Sequence, residues 1–183
     1  MSASHSHADV TAPAARTHTR SGDFVALTKP RLNFLVLLTT AAAYSLGAGP
    51  QSRLVDLAHT LVGTFLVAAG AAALNQVWER RTDRLMRRTQ RRPVADERLS
   101  PMEGTIFGVL LTAIGVAELA IFVNTLSAGV AFLTMASYVF FYTPLKLRTS
   151  LSTIVGALPG ALPVVVGWAA ATNTLSVEGW VLF

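Results

Sequence analysis

Three oxygen-bearing side chains recur at every fourth position near the end of an apolar stretch. They are Asn75, Glu79 and Asp83. On an α-helix this spacing places all three on one face, over roughly 12 Å along the axis. Mg²⁺ takes oxygen ligands and is commonly held by one or two carboxylates, while substrate phosphates and water complete its shell. The triplet therefore predicts a Mg²⁺ site at the boundary of a membrane.

A cluster of arginines follows the triplet directly. Its members are Arg84, Arg87, Arg88, Arg91 and Arg92. The guanidinium fork binds phosphate oxygens through two parallel hydrogen bonds. A metal site beside such a cluster can neutralise the charge that builds on a diphosphate as its C–O bond breaks. A second interpretation also fits the residues alone, in which the arginines set membrane topology and the acidic residues form solvated helix pairs.

Apolar stretches surround this polar segment. Hydrophobic residues make up 52% of the 183-residue chain and charged residues only 14%, and the mean hydropathy is +0.49. A helix needs about 20 apolar residues to cross a bilayer. Five stretches approach that length, and they are 32–48, 57–77, 104–123, 127–144 and 153–172; a sixth begins near Val177. The pattern predicts an all-α, multi-pass transmembrane helical bundle.

The basic residues predict the orientation of the bundle. Eight of the fifteen Lys and Arg residues lie between Arg80 and Arg98. If the five spans alternate, the other basic segments on the same side contain Lys29, Arg31, Lys146 and Arg148. Short basic loops face the cytoplasm. We therefore expect the amino terminus on the cytoplasmic side of a bacterial inner membrane, or on the matrix side of a mitochondrial inner membrane.

The rest of the composition bounds the domains and the partners. Residues 1–22 lack apolar periodicity and predict a disordered cytoplasmic tail, followed by one transmembrane domain at 23–183. The formal charge of +5 is concentrated in the arginine-rich loop, which suits lipid headgroups or a phosphorylated substrate rather than nucleic acid. The chain has no cysteine, which excludes disulfides, thiolate ligands and cysteine nucleophiles.

Small residues and prolines mark two of the predicted spans. Ala68–Ala73 forms a thin helix face, to which a neighbouring helix can pack closely. The fifth span carries Gly156 and Gly160, with Pro159 and Pro163 between and after them. Helix breaks at membrane depth persist only where protein or a cavity covers the freed backbone. The fifth span therefore either borders a cavity or packs tightly against other helices.

Several motifs together resemble one family. Asn75-xxx-Glu79-xxx-Asp83, with the Arg88-Thr89-xx-Arg92-Pro93 segment after it, resembles the first aspartate-rich motif of the UbiA superfamily of intramembrane prenyltransferases. The entry Leu27–Arg31 is similar to the start of the first helix in that family. Three further segments are similar to its heme-farnesylating branch, and they are Tyr142–Thr149, Gly156–Pro163 and Gly167-Trp168. The resemblance runs from about Phe24 to Phe183.

The chain departs from the family pattern in two respects. The family usually has Asp where this chain has Glu79, which keeps the charge and lengthens the side chain by one methylene. Family members have about nine spans and a second acidic motif, whereas this chain offers about five spans and the first motif. We therefore expect an amino-terminal portion of such an enzyme, and we do not expect the 183 residues alone to transfer a prenyl group.

The resemblance implies an Mg²⁺-dependent transferase of the UbiA-like fold. The implied reaction moves a farnesyl group from farnesyl diphosphate to a vinyl group of heme B, giving heme O for terminal oxidases. The residues that it assigns to Mg²⁺–diphosphate are Asn75, Glu79 and Asp83, and those that it assigns to phosphate oxygens are Arg88, Arg92 and Lys146. Tyr142 lies one helical turn before Lys146. Its ring either stabilises an allylic cation through its π face or anchors the helix at headgroup level.

Other functions remain open from the residues alone. One is a UbiA-type enzyme that prenylates an aromatic acid in quinone synthesis. The other is a non-enzymatic transport or assembly protein, for which Glu118 is the one intramembrane carboxylate, with no basic partner at i±3 or i±4. Heme iron is held by imidazole in many proteins. His59 is predicted near the outer boundary and is expected to be an interface residue rather than a heme ligand.

Overall fold

A computed structural model describes residues 19–51, 53–146 and 148–183. Within these ranges the regular secondary structure is helical throughout, which confirms the predicted all-α class. Most of the predicted disordered tail, residues 1–18, lies outside the described residues. Its last three residues, Arg20–Gly22, belong instead to the first helix, which Thr19 caps by accepting a hydrogen bond from the backbone of Gly22.

The helices follow one another in chain order, and the longest connection, 84–100, joins α3 to α4. They are α1 (Arg20–Leu27), α2 (Pro30–Ala48), α3 (Leu54–Asp83), α4 (Pro101–Phe122), α5 (Thr125–Ala136), α6 (Thr143–Lys146), α7 (Ser152–Thr172) and α8 (Val177–Leu182). A short 3₁₀ turn, Gly49–Gln51, follows α2, and a π-helix, Ser137–Tyr142, joins α5 to α6. Every predicted span coincides with a helix, and α8 occupies the start of the predicted sixth span.

Four stretches are long and apolar enough to cross a membrane. They are Leu54–Asp83, Pro101–Phe122, Thr125–Lys146 and Ser152–Thr172. The helix at the predicted first span, α2, has 19 residues but falls short on composition, because Pro30, Arg31 and Asn33 in its first turn lower its hydropathy. The protein is therefore a multi-pass membrane protein with four clear spans in the described part.

The boundary between the second span and the basic loop differs from the prediction. The hydropathy pattern placed the start of the loop at Trp78, but α3 continues in regular α-helical form through Asp83. The loop ends at Ser100, where a capping box begins α4: the Ser100 hydroxyl accepts from the Glu103 N–H, and Glu103 accepts from the Ser100 N–H. The triplet that is predicted to bind metal consequently lies on a regular helix.

Small residues set the helix packing. At the α3–α4 contact, a Cβ on Gly70 would lie 2.6 Å from the backbone oxygen of Gly108, so the two backbones touch. At the α2–α7 contact, Gly167 abuts the backbone of Thr40 in the same way. The predicted thin face at Ala68–Ala73 is largely buried. These contacts hold α3 close to α4 and α2 close to α7. The larger apolar core lies among α3, α4, α5 and α7.

The directions in which the helices run place the polar groups at one end of the bundle. The carboxyl end of α3, the amino ends of α2, α4 and α7, and the carboxyl end of α6 lie together, as shown by contacts of Lys29 and Lys146 with residues near the end of α3. At the opposite end, Asn124 caps α5 and donates to the backbone oxygen of Ala169 on α7. The first end carries the candidate site.

Candidate active site

The last two turns of α3 present three buried polar side chains on one face. Asn75, Glu79 and Asp83 are 2%, 3% and 1% exposed. Carboxylates are almost never buried to this degree unless they are paired. The structure thus brings the predicted triplet together. The residues that pair with its two carboxylates identify the rest of the candidate site.

Two cations, one from the loop after α3 and one from α6, neutralise the two carboxylates. The Nη1 of Arg92 donates to Asp83 Oδ2 at 2.7 Å and lies 3.5 Å from Glu79 Oε2. The Nζ of Lys146 donates to Glu79 Oε1 at 3.1 Å. Arg92 and Lys146 are two of the predicted phosphate-binding residues. The structure places both beside the predicted metal ligands.

The turn after α3 holds Arg92 in this position. The Thr89 hydroxyl donates to the backbone oxygen of Asp83 at 3.0 Å, and the Arg92 N–H donates to the backbone oxygen of Thr89 at 3.0 Å. Val94 and Leu99 anchor the following segment in a small apolar cluster with Leu27. This folding directs Arg92 back toward the carboxylates instead of into water.

Lys29 belongs to the candidate site, although its sequence position predicted only a basic residue in the segment that leads into the first span. It joins α1 to α2 in a left-handed conformation, with φ 47°, which is uncommon for a residue with a side chain. Its Nζ donates to Asn75 Oδ1 at 3.0 Å. Burial, together with the nearby Arg92 guanidinium, lowers the pKa of Lys29 to about 8. A bound anion would stabilise its protonated form.

The three side chains could supply part of the ligand shell of a metal ion, but not all of it. In the described part of the chain, no group of three or more His, Asp or Glu side chains could hold a metal unaided. Asp83 Oδ1 is buried and, among the described residues, has no hydrogen-bond partner. A buried carboxylate oxygen without a partner is costly. The oxygen donors and this unsatisfied atom fit Mg²⁺ carried by a diphosphate.

An apolar cavity of about 570 Å³ opens directly below the polar cluster. Lys29 and Tyr142 line it near the cluster, and the rest of its wall comes mainly from small and apolar side chains of α2, α3, α5 and α7. Tyr142 stacks on Tyr138, with ring centroids 5.4 Å apart. Both interpretations of the fifth span are observed. Gly156, Pro159, Gly160 and Pro163 line the cavity, while Gly167, further along the same helix, packs tightly against α2.

Arg88 lies apart from the carboxylates. It is exposed and lines a second, more polar cavity of about 560 Å³, whose wall also includes Lys29, Arg91, Arg92 and Gln76. The two cavities share Lys29 and Leu32. Arg88 therefore reaches phosphate only if the diphosphate extends toward this second cavity. The sequence motif predicted the same phosphate-binding role for Arg88 and Arg92, although only Arg92 lies beside the carboxylates.

The opposite end of the bundle contains the His59–Glu118 pair. The His59 Nδ1 lies 2.7 Å from Glu118 Oε1, and the imidazole stacks on Phe122. His59 precedes Asn75 by sixteen residues on the same helix, a rise of about 24 Å. The pair is far from the candidate site. Glu118 has no basic partner on its own helix, α4, and pairs with His59 of α3.

The comparison with known families agrees with the fold and the motif. The UbiA prenyltransferase family matches residues 36–183. The chain belongs to the UbiA prenyltransferase family. The match begins within α2 and covers the residues that line the apolar cavity except Lys29, Leu32 and Asn33. The carboxylate-bearing end of α3, with its partners Arg92 and Lys146, lies inside the matched region.

Several curated members of the UbiA family are similar to this chain. The protein called protoheme IX farnesyltransferase in Solibacter usitatus is 47% identical over 170 residues, covering 88% of this chain and 58% of its own length. The protein of the same name in Myxococcus xanthus is 42% identical over 165 residues, covering 90% and 56%. The chain therefore spans a little over half the length of these relatives.

Two solved structures share the fold. They are of a UbiA homolog from Archaeoglobus fulgidus, one bound to GPP and Mg²⁺ and one bound to DMAPP and Mg²⁺. Their TM-scores are 0.73 and 0.74, at 18% sequence identity, and each match covers 85% of this chain and 56% of the other. The likeness establishes the UbiA-type helical arrangement.

Proposed function

We propose that this protein transfers a farnesyl group from farnesyl diphosphate to a vinyl group of heme B, with Mg²⁺, and so forms heme O. The observation that supports the proposal most strongly is the buried pair Glu79 and Asp83, which faces Arg92 and Lys146 at the mouth of an apolar cavity. Such a site can bind a charged head group above a long apolar chain. The names of the similar relatives supply the acceptor.

The carboxylates and the amide would hold Mg²⁺ through the diphosphate. Asp83 Oδ1, which has no partner among the described residues, is the oxygen best placed to gain from a cation. Glu79 and Asn75 follow on the same face of α3. The bound metal would act as a Lewis acid that stabilises the charge of the departing diphosphate.

The cations would bind the phosphate oxygens. A guanidinium has five N–H donors, so Arg92 can contact phosphate while it holds Asp83. Lys146 and Lys29 flank the carboxylates on two further sides. Fixed positive groups at the place where charge develops stabilise a transition state without reorganisation. Together they would lower the barrier to breaking the farnesyl C1–O bond.

The apolar cavity would shield the reactive carbon. Its volume of about 570 Å³ is within the range of pockets that bury ligands of this size. The stacked rings of Tyr138 and Tyr142 lie where the cavity meets the polar cluster, and an aromatic face attracts a cation. Water is kept out until the vinyl carbon bonds to C1. Water then adds to the resulting cation and one proton leaves, which gives the hydroxyethylfarnesyl group.

Transport is not retained as an alternative. It rested on Glu118, a carboxylate inside a span, whereas the family that matches residues 36–183 is one of prenyltransferases. A UbiA-type enzyme with an aromatic acid acceptor uses the same diphosphate site. It differs only in the acceptor, so the acceptor is what the decisive experiment must vary.

The test compares acceptors in one radiolabelled assay. Labelled farnesyl diphosphate is incubated with heme B, a hydroxybenzoate or a naphthoate, with Mg²⁺ or with EDTA. Two proteins are used: the 183-residue chain, and the chain extended by the carboxyl-terminal part of the Solibacter usitatus relative. We expect label in heme B only with Mg²⁺ and only from the extended protein. Label in an aromatic acid instead would refute the heme acceptor.

A further inference from the structure

Thr143 is a buried hydroxyl to which the proposed reaction gives no role. Its side chain is 0% exposed, and it begins α6, directly after Tyr142. It accepts a hydrogen bond from Asn75 Nδ2 at 3.1 Å, and its hydroxyl donates to the backbone oxygen of Tyr138 at 2.8 Å. Thr143 is therefore one contact away from a proposed ligand of Mg²⁺–diphosphate.

The Thr143 hydroxyl determines which end of the Asn75 amide faces the site. A hydroxyl has one hydrogen, and this one is donated to Tyr138, so the oxygen can only accept from Asn75. Asn75 must turn its NH₂ group toward Thr143. Its Oδ1 then faces the other way, where Lys29 Nζ donates to it. If the Asn75 amide were flipped, its oxygen would face the Thr143 oxygen, which is also an acceptor. Its NH₂ group would face the Lys29 ammonium, which is also a donor.

The π-helix brings Thr143 to this position. In an α-helix, a threonine hydroxyl bonds to the carbonyl three or four residues earlier. Here both the N–H and the hydroxyl of Thr143 reach Tyr138, five residues earlier. The wider turn directs Thr143 toward α3 while Tyr138 and Tyr142 both line the cavity. Single π-turns of this kind are frequent at functional sites.

We propose that Thr143 is a positioning residue that keeps the oxygen of Asn75, not its nitrogen, directed toward Mg²⁺–diphosphate. Mg²⁺ requires oxygen ligands, so the orientation of the amide decides whether Asn75 can serve as one. The inference rests on the proposed function, because it takes Asn75 as a ligand. It adds the π-helix as the element that orients this ligand.

The test measures binding, not turnover. The extended protein, purified in detergent, is titrated calorimetrically with farnesyl thiodiphosphate, a slowly ionising analogue, in Mg²⁺ and in EDTA. Thr143→Val keeps the shape and removes the hydroxyl, and we expect about tenfold weaker binding in Mg²⁺, the scale of losing a partner that orients a metal ligand. Binding in EDTA should change much less. Thr143→Ser retains the hydroxyl and should restore most of the affinity.

Thr60→Val is the matched control. Thr60 is also 0% exposed, and its hydroxyl also donates to a backbone oxygen, that of Asp56, but at the opposite end of α3. The Thr60→Val variant should leave the Mg²⁺ dependence of binding unchanged. In an Asn75→Ala background, Thr143→Val should have no further effect, because the side chain that it orients is gone.

Two outcomes separate this inference from the proposed function. If the wild-type extended protein shows no Mg²⁺-dependent binding, the proposed function fails and the inference fails with it. If the wild type binds and Asn75→Ala weakens binding, but Thr143→Val behaves like Thr60→Val, the inference alone is overturned. Equal weakening in Mg²⁺ and EDTA also overturns it, since that result indicates a purely structural role. Thr143→Ala supplies the same comparison if the valine variant does not fold.

Discussion

Asp83 combines nearly complete burial with a carboxylate oxygen, Oδ1, that accepts no hydrogen bond from any described residue. Its other oxygen is bound to Arg92, so one oxygen is paired with a cation and the other is unsatisfied. A group of this kind adds little to stability, because a buried pair repays its desolvation only when all its atoms are satisfied. The arrangement is better explained by the cation that it is proposed to bind.

Asp83→Asn is therefore expected to lower the turnover of the extended protein by on the order of 100-fold or more, because it removes charge and preserves shape. Glu79→Asp should be milder, because the charge stays and Asp is the usual residue of the family. Both are measured as initial rates of labelled farnesyl transfer at saturating Mg²⁺. Unchanged turnover in Asp83→Asn, at normal expression, would refute its role as a ligand.

Gly156 and Gly160 give a matched pair of substitutions along one cavity. A Cβ on Gly156 would lie 2.5 Å from the Tyr142 ring, whereas a Cβ on Gly160 would meet nothing within 4 Å. Gly156→Ala should displace the ring and divert more farnesyl diphosphate to free farnesol, while Gly160→Ala should not. The ratio of farnesol to prenylated acceptor measures this effect. Equal ratios in the two variants would show that the ring position is unimportant.

The packing of α3 against α4 depends on glycine at the contact. Gly70→Ala would place a methyl group against Thr112 and the backbone of Gly108, and overpacking of this kind costs about 1–3 kcal/mol. We expect a lower midpoint of thermal unfolding in detergent. Gly129→Ala, on α5, adds the same methyl into open space and serves as the control. A destabilised Gly129→Ala with a normal Gly70→Ala would contradict the observed interface.

On the scale of the whole molecule, the basic segments and the candidate site lie at one end of the bundle. Single cysteines at the exposed positions Gln90 and Ser150 should react with an impermeant maleimide from the same side of a membrane. A cysteine at Thr174, beyond the other end of α7, should react only from the opposite side. The positive-inside rule predicts that the first side is cytoplasmic. Reaction of Gln90→Cys and Thr174→Cys from one side would refute this topology.

The sequence was sufficient for features that depend on neighbours along the chain. Hydropathy located the five predicted spans to within a few residues at most of their ends, because a span is recognised from its own composition. It missed α1, which begins inside the predicted disordered tail. The spacing of Asn75, Glu79 and Asp83 was sufficient to place them on one face of α3, because helical geometry fixes that relation. The end of α3 was misplaced, because charged residues that continue a helix look the same as a loop to a hydropathy average.

Tertiary structure decided which groups meet the triplet. Lys29 and Thr143 contact Asn75 across 46 and 68 positions of the chain, and Glu118 finds His59 across 59. No short sequence pattern predicts any of these pairs, because they depend on how closely the glycine-rich helices approach one another. The Thr143 contact also depends on the extra residue in the π-helix. Arg92 turns inward while Arg88, four residues earlier, stays exposed, since the folded loop and not the spacing directs each side chain.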